Sequence, residues 1–528
     1  MESVNNINLI LHAHLPYVRH LEYPRFLEED WFFESLNESY IPLLRMLEKL
    51  SKENVRYKLS ICFSPTLLTM LEDDMLKKRF INYMDLHIEL GENEVRRLQG
   101  RTNRALAQKY LKDLRENLKY FEENGESIID VVKKLRKEGH LELFTTAATH
   151  AYLPLYREFP TAIRSQVIVG IETFEKIFGY KPDGFWLPEC GYYPGLDSVL
   201  SSYGIKWCQI ASHSVVSARE KSKYGGYRPV KLPSGLVAFP RDWNITSLVW
   251  SDRSGYPCDG DYREFYRDIG YDLPMNYIRK YIHEPEVRVF TGFKYFAITG
   301  KENDKKEYEV EKAMKKVSLH VDNFIYHIKR AGLMISGLDV DNPVFNLCFD
   351  QELFGHRWYE GIEFLRLFLI RSSLEPSIRL TTPSGNLNDG RIGTESLYIN
   401  DSSWGQGGYS DVWLDDKNIW IYRHIHQAIE RMEELTQRFP SQGSLKGRFL
   451  NQASREVLLA MSSDWPYIMH DQTSVTYAEK RLRNHLGSFN VVYSAMCKNT
   501  VNTEWLIKAE RRNAIFPDID YNIFNPMK

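Results

Sequence analysis

The strongest chemical signal in this sequence comes from two carboxylates 161 residues apart. "FWLPECGY" (185–192) sets Glu189 between Pro188 and Cys190 in an otherwise apolar and aromatic string. A glutamate flanked by Trp186, Pro188, Cys190 and Tyr192 is partly desolvated, which raises its pKa unless hydrogen bonds or a cation offset the burial. That is the setting of a nucleophile or an acid/base carboxylate, with a buried Glu–Arg pair as the alternative. The second group is Asp350 in "NLCFDQELFGHRWYEG" (346–361), at the end of an apolar run, with Glu352 and His356 close behind. Two carboxylates on distant strand ends suit cleavage of a glycosidic bond, one attacking the anomeric carbon and the other protonating the leaving oxygen. A separation of about 5–5.5 Å would predict retention of configuration.

Histidines and tryptophans surround this pair in the chain. In "HAHLP", His12 and His14 stand two residues apart, so on a strand both face the same way. The pattern is compatible with a metal pair, with two neutral hydrogen-bond donors lining a sugar pocket, or with structural histidines. "ATHAYLP" (148–154) repeats the shape around His150. Trp31, Trp250, Trp358, Trp404 and Trp413 lie near these motifs, several in Gly- and Ser-rich stretches such as "SSWGQGGYSDVWLDD". Sugar stacking and core packing compete as their role.

The elements that must carry these residues can be read from periodicity. Short apolar runs at 7–16, 57–71, 141–154, 184–192, 205–212, 235–242, 342–350 and 377–385 predict buried strands. Helical patterns at 161–178, 194–203, 262–269, 306–331 and 359–371 separate most of them, and 301–316 reads as a solvated helix face. The charged stretch 73–138 predicts a helical insertion, and the tail from 411 to 528 is helical in pattern. This alternation predicts a parallel α/β architecture closed as a barrel. His12, His14, His150, Glu189, His213, Arg241 with Asp242, and Asp350 all fall at predicted strand C-termini, where barrels build their active sites.

The bulk composition excludes several classes. Of 528 residues, 43% are hydrophobic and 26% charged, and the net charge is −2. This gives no reason to expect nucleic acid or an anionic membrane as partner. Aromatic content is high at 13%, with 32 Tyr and 11 Trp, a weak pointer to ring stacking on sugars. The six cysteines are scattered without a C-x-x-C pair and read as buried free thiols. The first residues lack a basic leader, and no stretch of about 18 apolar residues occurs. The expectation is a cytoplasmic protein without a membrane span.

Taken in order, "HAHLPYVR", "ELFTTAATHAYLP", "FWLPECGY", "FDQELFGHRWYEG" and "SSWGQGG" resemble the five sequence regions of glycoside hydrolase family 57. That family comprises α-amylases, 4-α-glucanotransferases and α-glucan branching enzymes. "YREFYRDIGYD", "TGFKYFAITG" and "SSDWPYI" extend the likeness over nearly the whole chain, closest to the branching-enzyme and related amylase branch. The resemblance implies a distorted, incomplete (β/α)7 barrel over 1–72 and 139–410, a helical insertion at 73–138 and a helical C-terminal domain at 411–528. It implies Glu189 as nucleophile and Asp350 as general acid/base of a retaining mechanism. His12, His14, Trp31, His150, Trp186, Arg241, Trp250, Trp404 and Trp413 are its implied substrate-binding positions. The implied partner is an α-glucan polysaccharide or maltooligosaccharide, with no metal and no cofactor required.

Branching members carry a tyrosine on a mobile loop that keeps water from the glycosyl-enzyme. The corresponding segment, 214–231, holds Tyr224 and Tyr227 as the acceptor or lid tyrosines, without an alignment of either to the branching tyrosine. If neither caps the site, water outcompetes a sugar hydroxyl, so the reading leans to α-amylase-type hydrolysis, with 1,4-α-glucan branching as the alternative. A metal-dependent barrel hydrolase using His12, His14, His150, His213 and Asp350, and a non-catalytic glucan-binding protein, are the readings from other classes.

Overall fold

Short apolar runs followed by helices pack as parallel strands covered on their outer face. The computed structural model describes residues 3–283, 286–300, 305–338, 340–441 and 443–527. Among these, ten strands form one sheet: β1 Asn5–Ala13, β2 Leu59–Phe63, β3 Leu141–Thr146, β4 Gly184–Trp186, β5 Trp207–Ile210, β6 Val230–Lys231, β7 Val237–Pro240, β8 Val344–Asp350, β9 Ile378–Thr381 and β10 Glu395–Ser396. The order is β10-β6-β7-β5-β4-β3-β2-β1-β8, with β9 on β1. Every pairing is parallel except β6 with β7.

Seven of these strands curl into a barrel that closes poorly. Beyond the end of β7, Arg241 forms a parallel bridge to Asn346 of β8, and the Asn346 side-chain amide donates to Pro240 O at 2.8 Å. The rest of that edge of β7 is taken by β6, which pairs with Val237 and Ala238. The seam between β7 and β8 is therefore one bridge instead of a ladder, which makes the (β/α)7 barrel distorted and incomplete. Inside it, Ile10, Cys62, Phe144, Trp186, Trp207, Phe239 and Cys348 form one buried cluster. Each main strand contributes to this plug, as barrel interiors require. Cys190 belongs to the same cluster, so its role is packing.

Between β2 and β3 the insertion forms helices Asp74–Arg97, Arg104–Glu123 and Ile129–Lys137. After the sheet, helices Tyr422–Arg438, Ser444–Ala460, Asp464–Asp471, Val475–Lys498 and Thr503–Arg512 build the C-terminal domain. No described helix is long and apolar enough to cross a membrane. Two helix expectations change. Over 262–269 the only helix is Ile269–Asp272 at the end of the segment, because Asp268 accepts from the N–H groups of Gly270, Thr291 and Gly292 and fixes a loop there. In 301–316, residues 301–304 lie outside the described residues, and the helix begins at Val310.

Candidate functional site

Register brings the first pair together. Parallel pairing of β1 with β8 sets His12 beside Asp350, and His12 Nδ1 lies 3.3 Å from Asp350 Oδ1. His12 is buried, whereas the Asp350 side chain keeps 41% of its exposure and faces solvent. Past the end of β4, the chain turns sharply through Leu187–Gly191. Glu189 and Cys190 both take left-handed conformations, with φ of 61° and 52°. His150, beyond β3, does the same at φ 54°. Non-glycine residues in this region carry strain of about 1–3 kcal/mol each and persist only where their surroundings hold them.

What holds them comes from outside the barrel strands. The Trp404 backbone N–H donates to Glu189 O at 2.9 Å, and its indole N–H donates to Glu189 Oε2 at 2.6 Å. Ser463 treats His150 the same way: its backbone N–H donates to His150 O at 3.2 Å, and its hydroxyl lies 2.9 Å from His150 Nδ1. His150 Nδ1 is also 3.8 Å from Glu189 Oε1. One residue on, Asp464 Oδ1 meets His14 Nε2 at 3.2 Å.

The three histidines stack. Ring centroids are 4.0 Å apart for His14–His150, 4.8 Å for His12–His150 and 5.6 Å for His12–His14. Imidazoles stacked face to face do not aim their nitrogens at a common point. Among the described residues no group of three or more His, Cys, Asp or Glu side chains is arranged to hold a metal ion. His12 Nε2, His14 Nδ1 and His150 Nε2 are buried without hydrogen-bond partners. Burial lowers the pKa of His12, against the opposing pull of Asp350, and drives that of His150 well below the usual value. Burial thus favours the neutral form of both rings.

Electrostatics separate the carboxyls. Burial pushes Glu189 up to about 8, opposed by the Trp404 hydrogen bond and reinforced by the charges of Asp350 and Asp464. Glu352 also rises to about 8, through burial and the nearby Asp350; it accepts from Tyr40 OH and from the His14 N–H. For Asp464 burial is outweighed by His14 and Ser462, which keep it ionised.

Trp404 gathers further expected residues. It meets Trp186 edge-on at 5.0 Å and Trp250 at 5.7 Å, and the Arg241 guanidinium sits 5.1 Å from its ring. Arg241 is buried, and its Nε and Nη2 have no hydrogen-bond partner. Asp242, beside it, is used structurally as the cap of helix Trp243–Trp250. His213 Nε2 donates to Gly408 O at 2.8 Å and so anchors the "SSWGQGG" loop.

Five expected site residues are placed differently. Trp186 is fully buried, stacked on His12 at 4.7 Å; it supports the site from below and offers no face to a sugar. Trp413 is likewise buried, stacked on Tyr152, because Gly405 packs directly against its ring. Trp31 meets Tyr477 of the C-terminal domain edge-on and, among the described residues, makes no ring contact with the carboxylate cluster. Tyr224 lies between Lys223 and Arg228. Tyr227 packs on Phe345 and accepts the Val344 N–H at the opposite end of β8 from Asp350. The 214–231 segment is pinned there by Glu395, which accepts from Ser222 and Lys223.

Sequence reasoning singled out neither Ser463 nor Asp464. The signal available was the polar triplet of "SSDWPYI" ahead of a helix, which reads as a helix start and gives no hint of histidine partners.

Residues 8–399 match the family model described as glycosyl hydrolase family 57, and residues 424–524 match the 1,4-alpha-glucan branching enzyme C-terminal model. The structure is similar to that of the novel alpha-amylase AmyC from Thermotoga maritima, with a TM-score of 0.92, 38% identity and 99% of each chain covered. It is also similar to the branching enzyme from Pyrococcus horikoshii, at a TM-score of 0.87 and 29% identity, covering 100% of this chain and 98% of that one. A curated relative, the 1,4-alpha-glucan branching enzyme of Thermococcus kodakarensis, is 29% identical over 92% of this chain and 72% of its own.

Proposed function

The chain belongs to glycosyl hydrolase family 57, and from that premise we propose that it cleaves α-1,4-glucosidic bonds of an α-glucan with retention of configuration. The carrying observation is that carboxyls from the ends of β4 and β8 meet one histidine stack. Asp350 lies 3.3 Å from His12, Glu189 lies 3.8 Å from His150, and the two rings are 4.8 Å apart. Glu189 attacks the anomeric carbon with Oε1, since Oε2 is held by the indole of Trp404. The glycosidic C–O bond breaks as Asp350 protonates the leaving oxygen. Asp350 then takes a proton from water, whose oxygen attacks the anomeric carbon and releases Glu189 as carboxylate. His12, His14 and His150 serve as hydrogen-bonding walls, and Trp250, Trp404 and Arg241 shape the side of the cleft.

Hydrolysis is the favoured outcome because Tyr227 packs on Phe345, Tyr224 lies between Lys223 and Arg228, and among the described residues neither ring contacts the residues around Glu189. Branching is the second reading, favoured by the match of 424–524 to a branching-enzyme C-terminal model. In this reading 1–72 and 139–410 form the catalytic unit, 73–138 the insertion and 411–528 the closing domain. The protein acts in the cytoplasm. Incubation with amylose, followed by debranching, chain analysis and a reducing-end assay, separates the two: reducing ends without new α-1,6 links mean hydrolysis. Glu189→Ala should abolish turnover and regain part of it with azide as a β-glycosyl azide. Undiminished activity in that variant overturns the assignment.

A further inference from the structure

The helix Asp464–Asp471 docks on the histidine stack by its first turn, where Ser463 meets His150 and Asp464 meets His14. Residues three apart on a helix share a face, so Tyr467 stands one turn beyond Asp464 on the side turned toward the cleft. It is 48% exposed, and among the described residues its ring and hydroxyl have no partner. A single exposed tyrosine needs no explanation by itself. Here, however, the charges acting on the hydroxyl are those of the site. Burial raises its pKa first, then Asp471, Glu189 and Asp350, while Arg357 opposes them. The phenol stays neutral, within electrostatic reach of both proposed catalytic carboxyls.

Arg357 approaches the same place from the barrel. The chain leaving Asp350 folds back in a tight turn, with the Arg357 N–H donating to Glu352 O at 3.1 Å and the Trp358 N–H to Leu353 O at 2.8 Å. Arg357 is exposed, and its guanidinium lies 5.4 Å from the centre of the Phe265 ring. Among the described residues none of its side-chain N–H groups donates to a protein acceptor.

A free aromatic face and a free planar set of donors are what hold a glucose unit, one stacking on its apolar face and the other bonding its hydroxyls. Their place decides which glucose. Asp350 protonates the leaving oxygen in the reaction proposed above, and Arg357 belongs to the turn that starts at Asp350. Trp404, with Trp250 and Arg241 around it, is instead bonded to Glu189. We propose that Tyr467 and Arg357 form the subsite for the first glucose unit on the leaving side, and so also hold an incoming sugar acceptor. This inference rests on the retaining reaction proposed above. In transfer, the acceptor's hydroxyl oxygen bonds the anomeric carbon, the bond to Glu189 breaks, and the hydroxyl proton passes to Asp350. The pair therefore sets how often a sugar, instead of water, takes the glycosyl group.

α-Maltotriosyl fluoride isolates this step, because fluoride leaves without occupying the subsite. With maltose as acceptor, the ratio of transfer product to hydrolysis product is measured for the parent protein, Tyr467→Ala, Tyr467→Phe and Arg357→Ala. The ratio should fall about tenfold in both alanine variants, the scale of one lost ring or hydrogen-bonding contact, and hold in Tyr467→Phe, which keeps the ring. A damaged fold lowers both products together and leaves the ratio in place, so an unchanged ratio in the alanine variants overturns the proposal. So does a parent protein that forms no transfer product at saturating maltose, and so does a loss in Tyr467→Phe equal to that in Tyr467→Ala. The ratio is read in proteins with Glu189 intact, so its failure is distinct from failure of the catalytic assignment, which Glu189→Ala tests.

Discussion

Replacing Trp404 with phenylalanine separates what this residue does by hydrogen bonding from what it does by shape. The ring and the backbone bond from its N–H to Glu189 O remain, and only the 2.6 Å indole bond to Glu189 Oε2 is lost. That bond favours the ionised carboxylate, which is the attacking form in the mechanism proposed above. A hydrogen bond to a charged group contributes about 1.5–3 kcal/mol, and one pKa unit corresponds to about 1.4 kcal/mol. Removing it should raise the Glu189 pKa, which already stands at about 8, by about one to two units. The acidic limb of the kcat/KM–pH profile moves up by that amount, and kcat/KM at pH 7 falls about 10- to 100-fold. The assay is kcat/KM on a chromogenic maltooligosaccharide from pH 5 to 10. A limb that stays in place while the plateau drops would refute the reasoning, and would make Trp404 a stacking platform alone.

Three further outcomes follow from the same geometry. Glu189 is protonated more tightly in the folded protein than the ordinary 4.5 of an unfolded glutamate; below about pH 4.5 burial therefore carries no penalty, which then grows until about pH 8. Glu189→Gln should accordingly raise Tm over wild type by an increment that widens from pH 5 to pH 8, and a constant or shrinking increment in scanning calorimetry would contradict the burial. Gly191 lets the turn after Glu189 press on Tyr152, where an added Cβ would lie 2.6 Å from the ring. Gly191→Ala should destabilise by about 1–3 kcal/mol, seen as a lower denaturant midpoint with a lower kcat. Tyr224→Phe and Tyr227→Phe should leave the ratio of reducing ends to new α-1,6 links unchanged, and a swing toward hydrolysis in either would place that hydroxyl over the site.

The parts of this site legible in the sequence are those fixed by local pattern. The runs of β1 and β8 are buried almost throughout, and strands of that kind announce themselves by composition. Polar residues ending such runs fall at one face of the barrel, which is why Glu189, Asp350 and the three histidines, candidates in the sequence, come together there. Burial of individual tryptophans was not legible. Trp186 and Trp404 have the same side chain, and only the barrel interior decides that the first lies in the plug and the second reaches the carboxylate. The His12–Asp350 pair depends on a strand register spanning 338 residues, which no local signal specifies.

Least legible is the dependence of the candidate site on residues far along the chain from the strands. His150 and Glu189 take backbone conformations that cost about 1–3 kcal/mol each, and the turns bearing them contain no glycine at those positions to relieve it. Each is held by one backbone and one side-chain contact from a single residue of a later segment, Ser463 for His150 and Trp404 for Glu189. The third histidine is oriented by Asp464, next to Ser463. Thus turns beyond the barrel strands carry the candidate reactive groups, while residues from later in the chain hold them in their strained positions. Ser463 and Asp464 belong to the C-terminal helical segment and Trp404 to the chain just before it, so the geometry of the candidate site depends on both.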